Sequence, residues 1–134
     1  MKLVNLTFTK ILFEKEKPTI NNFNINSKLN IKNIIKEDIN KKSKEHFLKV
    51  SWTYSVNYEP KIANILIEGD LTISLDEKEQ KKILLTWKKK ELDKDFNILI
   101  LNVILRKCNI KLLQLEEDFN LPPHFTLPSV KPKE

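Results

Sequence analysis

Apolar side chains fall on every second residue through four successive stretches of the chain, and take up a helical spacing only after them. In the first stretch Val4, Leu6, Phe8 and Leu12 alternate with Asn5, Thr7 and Thr9, which predicts a strand with one buried face. Ile11 and Phe13 sit on the opposite parity, so this strand either bulges or is buried on both faces, and Pro18 ends it. A second alternation places Phe23, Ile25, Leu29, Ile31 and Ile35 on one side, with a loop-like beginning at Asn22, Asn24 and Asn26. The polar run Asn40-Lys41-Lys42-Ser43-Lys44 reads as a connection.

The third stretch is the clearest: His46, Leu48, Val50, Trp52, Tyr54, Val56 and Tyr58 share a face. Glu59-Pro60-Lys61 supplies a turn, and Ala63, Ile65, Ile67, Leu71, Ile73 and Leu75 make a fourth one-sided strand. Gly69 lies inside that pattern, where glycine marks a bulge or the close approach of another backbone.

From Asp76 the period changes. Asp76 is a candidate N-cap, followed by Ile83, Leu84 and Trp87 on one helical face down to about Glu91. A second helix is predicted from Asp95 to about Leu115, with Phe96, Leu99, Val103, Cys108 and Ile110 as its apolar residues. The segment 120–130, with Pro122, Pro123 and Pro128, is extended and apolar enough to lie over the rest of the fold. Strands followed by helices predict an α+β fold: a four-stranded antiparallel sheet with two helices packed on one face.

The 134 residues suffice for one domain over residues 1–134. The single glycine excludes a Walker loop, a dinucleotide-binding turn and a nucleophile elbow, each of which needs two or more glycines at fixed offsets. Cys108 alone allows neither an internal disulfide nor a thiolate zinc cluster, and suits a reducing compartment. The chain opens on no export signal, and its densest apolar run, Ile98 to Leu105, is too short to span a bilayer. A cytoplasmic protein without membrane insertion is expected.

The net charge of +6 raises a nucleic-acid reading. The excess leans to the first half and vanishes over residues 61–95, and Arg106 is the only arginine, so planar two-pronged phosphate and guanine contacts are scarce. Nucleic acid is therefore a runner-up, relying on lysines with Trp52 or Tyr54. His46 and His124 stand in no triad-like or metal-like spacing, and Cys108 reads as a buried hydrophobe. Asp93/Asp95 and Glu116/Glu117/Asp118 read as helix caps and solubilising charge rather than as ligands for a cation. No metal site, no cofactor and no catalysis are expected.

Ile20, Phe23, Ile25 and Leu29 lie in or beside an irregular connection where their partners are not evident. They are either satellite packing or part of a binding groove or subunit interface.

The order of elements, with a long crossover after strand one and a proline-rich apolar tail after the long helix, resembles the SecB family of export chaperones. Thr9-Lys10-Ile11-Leu12-Phe13-Glu14 followed by Pro18 and Phe23 is similar to the family's first strand and crossover. Ile67-Glu68-Gly69-Asp70-Leu71 falls where its fourth strand carries a glycine. Asn97-Ile98-Leu99 through Arg106-Lys107-Cys108-Asn109-Ile110 resembles its main helix, and Leu121-Pro122-Pro123 with Leu127-Pro128-Ser129-Val130 resembles the segment after that helix.

The resemblance implies an ATP-independent holdase for unfolded polypeptides, with Ile20, Phe23, Ile25, Leu29 and Ile31 as client-binding residues and Leu84, Leu85 and Trp87 as a second wall. It also implies a homotetramer built as a dimer of dimers, with Val103 and Ile110 or their neighbours at the interface. Bacterial members dock the export ATPase through acidic side chains on the flat sheet face. Here Lys10 stands close to one such position and the chain is basic, which argues against that partner. A chaperone or interaction protein dedicated to one partner, such as an antitoxin-like client, is the alternative.

Overall fold

The computed structural model describes residues 1–18, 22–37, 45–130 and 132. Its elements are β1 (Lys2–Lys15), β2 (Asn24–Glu37), β3 (His46–Glu59), β4 (Ala63–Leu75), α1 (Glu77–Lys88) and α2 (Lys94–Asp118). The four strands form one antiparallel sheet in the order β1-β4-β3-β2. Consecutive strands β1 and β2 are thus opposite edges, and the chain between them crosses from one side of the sheet to the other. The start of that crossover is pinned where Glu16 and Lys17 donate their backbone N–H to the Ile62 carbonyl in the β3–β4 turn.

One face of the sheet carries the core. Leu48, Val50, Trp52, Tyr54, Val56 and Tyr58 of β3, with Ala63, Ile65, Ile67, Leu71 and Ile73 of β4, are buried in a cluster shared with Ile83, Phe96, Ile100, Ile104, Cys108 and Leu112 of the helices. The alternation read in the two central strands therefore places every residue they give to this cluster, while Phe47, on the opposite parity, is also buried.

The edge strands depart from strict alternation because each contains bulges. In β1 the register slips at Val4 and at Thr9, so the inward parity passes from Leu6 and Phe8 to Ile11 and Phe13, paired with Ile67 and Ile65; Phe13 packs on the core and Ile11 stays exposed. Val4 and Leu12, expected on the buried face, are exposed. In β2 the slip falls at Lys32, so Ile34 is buried opposite Val50 while Ile35, expected inside, is exposed beside Lys49. An extra residue in one strand reverses every later side chain. The asparagine-rich start of β2, expected as loop, is already paired from Asn24.

Asp76 caps α1, its side chain accepting from the Glu79 N–H at 2.7 Å. An Asp76→Ala chain should lose about 1 kcal/mol of stability in a urea titration, the usual worth of such a cap. Both helices end in Schellman turns. Lys90 and Asn120 adopt positive φ, and the 6→1 bonds run from Glu91 N to Thr86 O and from Leu121 N to Glu116 O. That stop falls at Lys88, short of the expected Glu91, while α2 is longer than expected at both ends.

The buried residues of α2 recur every fourth position: Phe96, Ile100, Ile104, Cys108, Leu112 and Glu116. Such a row is inclined to the helix axis and crosses obliquely, as packing on a twisted sheet requires. Of the apolar residues read on this helix, Phe96 and Cys108 belong to that row, Leu99 and Ile110 are exposed, and Val103 is half-buried. Periodicity alone did not isolate the buried row because apolar residues surround most of this helix.

Gly69 is a site of close approach. A Cβ there would collide with the Thr7 carbonyl oxygen on β1 and with the indole of Trp52 on β3. The missing side chain lets the indole lie across β4, with Phe8 edge-on to it at 6.1 Å.

Candidate functional site

The crossing of β2 by the end of α1 produces the first groove. Leu29 and Ile31 of β2, Trp87 of α1, Leu92 of the interhelical turn and Leu101 of α2 line a 520 Å³ channel rimmed by Asn30, Asn97, Lys90 and Glu91. Its apolar residues are held by the sheet register: Leu29 sits opposite Tyr54 and Ile31 opposite Trp52. They pack against the core from one side and stay half-buried on the other. An edge strand forms the outer wall, so the unpaired β2 backbone is available beside the apolar floor.

Three of the eight expected client-binding residues, Leu29, Ile31 and Trp87, are brought together there. Phe23 lies at a separate 400 Å³ depression with Asn22, Asn24, Glu59 and Pro60, its ring 6.3 Å from that of Tyr58. Ile25 is half-buried opposite Tyr58. Leu84 is half-buried against the core, and Leu85 is 59% exposed. Ile20 lies outside the described residues.

A second, larger groove of 730 Å³ runs between β1 and α2. Leu3, Val4, Leu6 and Phe8 face Val103 and Ile110 across it, and Arg106, Lys107 and Lys111 line it too. Lys107 is not a free charge: its Nζ donates to the Leu6 carbonyl at 2.6 Å and lies 5.5 Å from the centre of the Phe8 ring.

The polar centre of the molecule was not legible in the sequence. The side chains of Glu116 and His124 are 1% and 4% exposed, with Glu116 Oε1 2.5 Å from His124 Nδ1. His124 Nε2 lies 2.8 Å from Asn109 Oδ1, and the His124 N–H donates to Glu116 Oε2 at 3.3 Å. Glu116, expected to be a solubilising charge, is buried because it is the next member of the every-fourth row. Following Phe96, Ile100, Ile104, Cys108 and Leu112 to its next step would have found it. Asn109 is two turns before Glu116 on the same side, and the tail returns His124 between them.

This cluster joins segments rather than presenting a base to solvent. The Tyr58 hydroxyl donates to the Pro122 carbonyl at 2.6 Å, and the His124 ring stands edge-on to Tyr54 and Phe125. Burial raises the Tyr58 hydroxyl well above the usual phenol range and raises that of Tyr54 too, with the Glu116 charge acting in the same sense. Burial also pushes the Cys108 thiol up to about 12, which keeps it protonated and unreactive.

Trp52 and Tyr54, the aromatics on which nucleic-acid stacking would rely, are both buried. On the outer face of the sheet Glu68 and Asp70 are engaged by Lys32 at 3.0 Å and Lys49 at 3.7 Å. Ser51 also donates to Asp70, at 2.9 Å. Among the described residues no helix is long and apolar enough to cross a membrane.

No protein-family model matches the chain, and no curated protein matches its sequence. Among solved structures it is similar to a SecB-like chaperone of Mycobacterium tuberculosis, determined in complex with a ChAD peptide from the HigA1 antitoxin. The TM-score is 0.56 at 8% sequence identity, over 99% of this chain and 92% of that one. The α+β architecture is thus SecB-like: a four-stranded antiparallel sheet, a crossover between its edges, and two helices on one face.

Proposed function

We propose that this protein is an ATP-independent chaperone that holds unfolded polypeptide, with the channel between β2 and the helices as its client site. The observation that carries this reading is the 520 Å³ channel of Leu29, Ile31, Trp87, Leu92 and Leu101 beside an unpaired edge strand on a SecB-like fold. Such a site suits an extended chain: apolar side chains enter the channel while the client backbone bonds to the strand edge. Phe23 and Ile25 continue the apolar row along β2, and Leu84 and Leu85 extend the wall on α1. Holding needs no nucleotide, because folding of the client withdraws its apolar segments and releases it.

Each groove is small, so affinity comes from several sites on an oligomer. A homotetramer uses the other edge of the sheet, with the 730 Å³ groove of Leu3, Val4, Val103 and Ile110 covered by subunit contact. It works in the cytoplasm as a single domain, without metal, cofactor or catalysis. An export ATPase is a poor partner, since the acids Glu68 and Asp70 on the flat face are already engaged by lysines. Nucleic acid is disfavoured by the burial of Trp52 and Tyr54.

The test is light scattering from a heat-denatured reporter enzyme with this protein added and nucleotide absent. Scattering should fall in proportion to the protein added, and native mass measurement on the same sample should give four copies. Unchanged scattering from a well-folded sample would overturn the reading. The antitoxin peptide on the structural neighbour favours a second reading, a chaperone for a single partner. That reading predicts selective recovery of one protein and weak action on generic clients.

A further inference from the structure

Beyond Leu29 the same face of the sheet is covered by the chain's own tail. Along β2 the residues Ile31, Leu29 and Ile25 sit opposite Trp52, Tyr54 and Tyr58. Along α2, on the opposing wall, Asn97 and Leu101 border the open part, whereas Asn109 and Glu116 lie farther along the same helix. Over Tyr54 and Tyr58 lies the chain's own C-terminal segment: Pro122 accepts from the Tyr58 hydroxyl, and His124 stands between Tyr54, Asn109 and Glu116.

This segment has the features of a bound client. Pro122, Pro123 and Pro128 keep it from extending the helix or pairing as a central strand. It is irregular over 121–130, and its Phe125, Leu127 and Val130 remain exposed beyond the anchor at Leu121 and His124. Displacing it would expose Glu116 and Asn109 to water as well as the tyrosine faces, so the released carboxylate would not stay buried without a partner.

We propose that the segment 121–127 is an in-chain occupant of the far half of the client channel, latched by His124, and that clients compete with it. This proposal rests on the chaperone reading. Unlatching lengthens the channel from Ile31 and Leu29 to Ile25 and Phe23. The wild-type chain binds long clients only through the fraction of molecules whose tail has moved aside, which lowers its apparent affinity by that fraction.

The test compares the full-length wild type with His124→Asn, and with Phe125→Ser, which alters a half-exposed ring outside the core. The probe is a reduced, carboxymethylated and permanently unfolded protein carrying a fluorophore. Each folded variant should bind this probe about tenfold more tightly than the wild type. A synthetic peptide of residues 119–130 should compete with the probe on His124→Asn and do so poorly on the wild type. If His124→Asn does not fold, Phe125→Ser decides. Folded variants that bind the probe no more tightly than the wild type would overturn the proposal. If no form binds the probe, the chaperone reading fails; the peptide then decides the latch alone, since its failure to bind a folded variant overturns that too.

Discussion

Gly69→Ala should destabilise the fold by about 3 kcal/mol, at the upper end of what over-packing a core usually costs. The added methyl meets two immovable neighbours at once. One is the Thr7 carbonyl, fixed in the β1–β4 ladder, and the other is the Trp52 indole, 1% exposed and packed edge to face with Phe8. Relief requires β1 to move outward or the indole to turn. Turning it disturbs Phe8, and through Phe8 the contact with Lys107 that ties β1 to α2. The indole N–H has no hydrogen-bond partner among the described residues, so no polar contact offsets a shift in its position. Thermal unfolding should show a fall in Tm of roughly ten degrees for a chain of this size. A fall of a degree or less would mean that the indole is free to rearrange.

The largest effect on function is expected from Ile31→Ser combined with Trp87→Ala. Both residues line the channel and both are half-buried, so part of each side chain is free to meet a client. Removing that apolar contact should cost on the order of 1–1.5 kcal/mol per residue, about half of what full burial of a large side chain provides. Client affinity should therefore fall by about a hundredfold, since each 1.4 kcal/mol is a factor of ten. A fluorescence titration with an unfolded client measures this, with circular dichroism confirming that the sheet and helices persist. Leu12→Ser, on an exposed residue of the opposite edge strand and outside both grooves, serves as the control and should change affinity little.

The central sheet was legible because β3 and β4 are paired on both sides and alternate without interruption. In β1 the broken parity announced an irregularity without its place, and in β2 the slip at Lys32 went unannounced, because the residue at which parity reverses is set by the partner strand. The two helices were readable from Asp76 and from the apolar density after residue 95, but not the buried row of α2, because a helix apolar on most sides has several rows to offer. Leu29 stood out as an apolar residue beside an irregular connection, and Ile31 and Trp87 followed from the family resemblance, whereas Leu92 and Leu101 enter the channel only through the interhelical turn. The Glu116–His124–Asn109 cluster is assembled by the return of the tail across α2, a tertiary event that no local pattern encodes.

The positive charge, a possible nucleic-acid signal in the sequence, takes a different meaning from the structure. Lys32 and Lys49 pair with the acids of the outer sheet face, Lys107 closes a β1 carbonyl, and Lys15 donates to the Phe119 carbonyl at 2.8 Å. These lysines serve the fold, and Lys15 fixes the turn from which the tail departs. Phe13 stacked on Phe119 at 4.0 Å holds the same turn from β1.

Amide hydrogen exchange with and without a permanently unfolded client tests the central claim most directly, because it reports binding and its place together. Binding in the channel predicts slowed exchange along residues 29–31 of β2 and around residues 87–101, with faster exchange at residues 121–125 as the tail gives way. A folded protein whose exchange is unchanged by saturating client, or is slowed only on the outer face of the sheet, would contradict it.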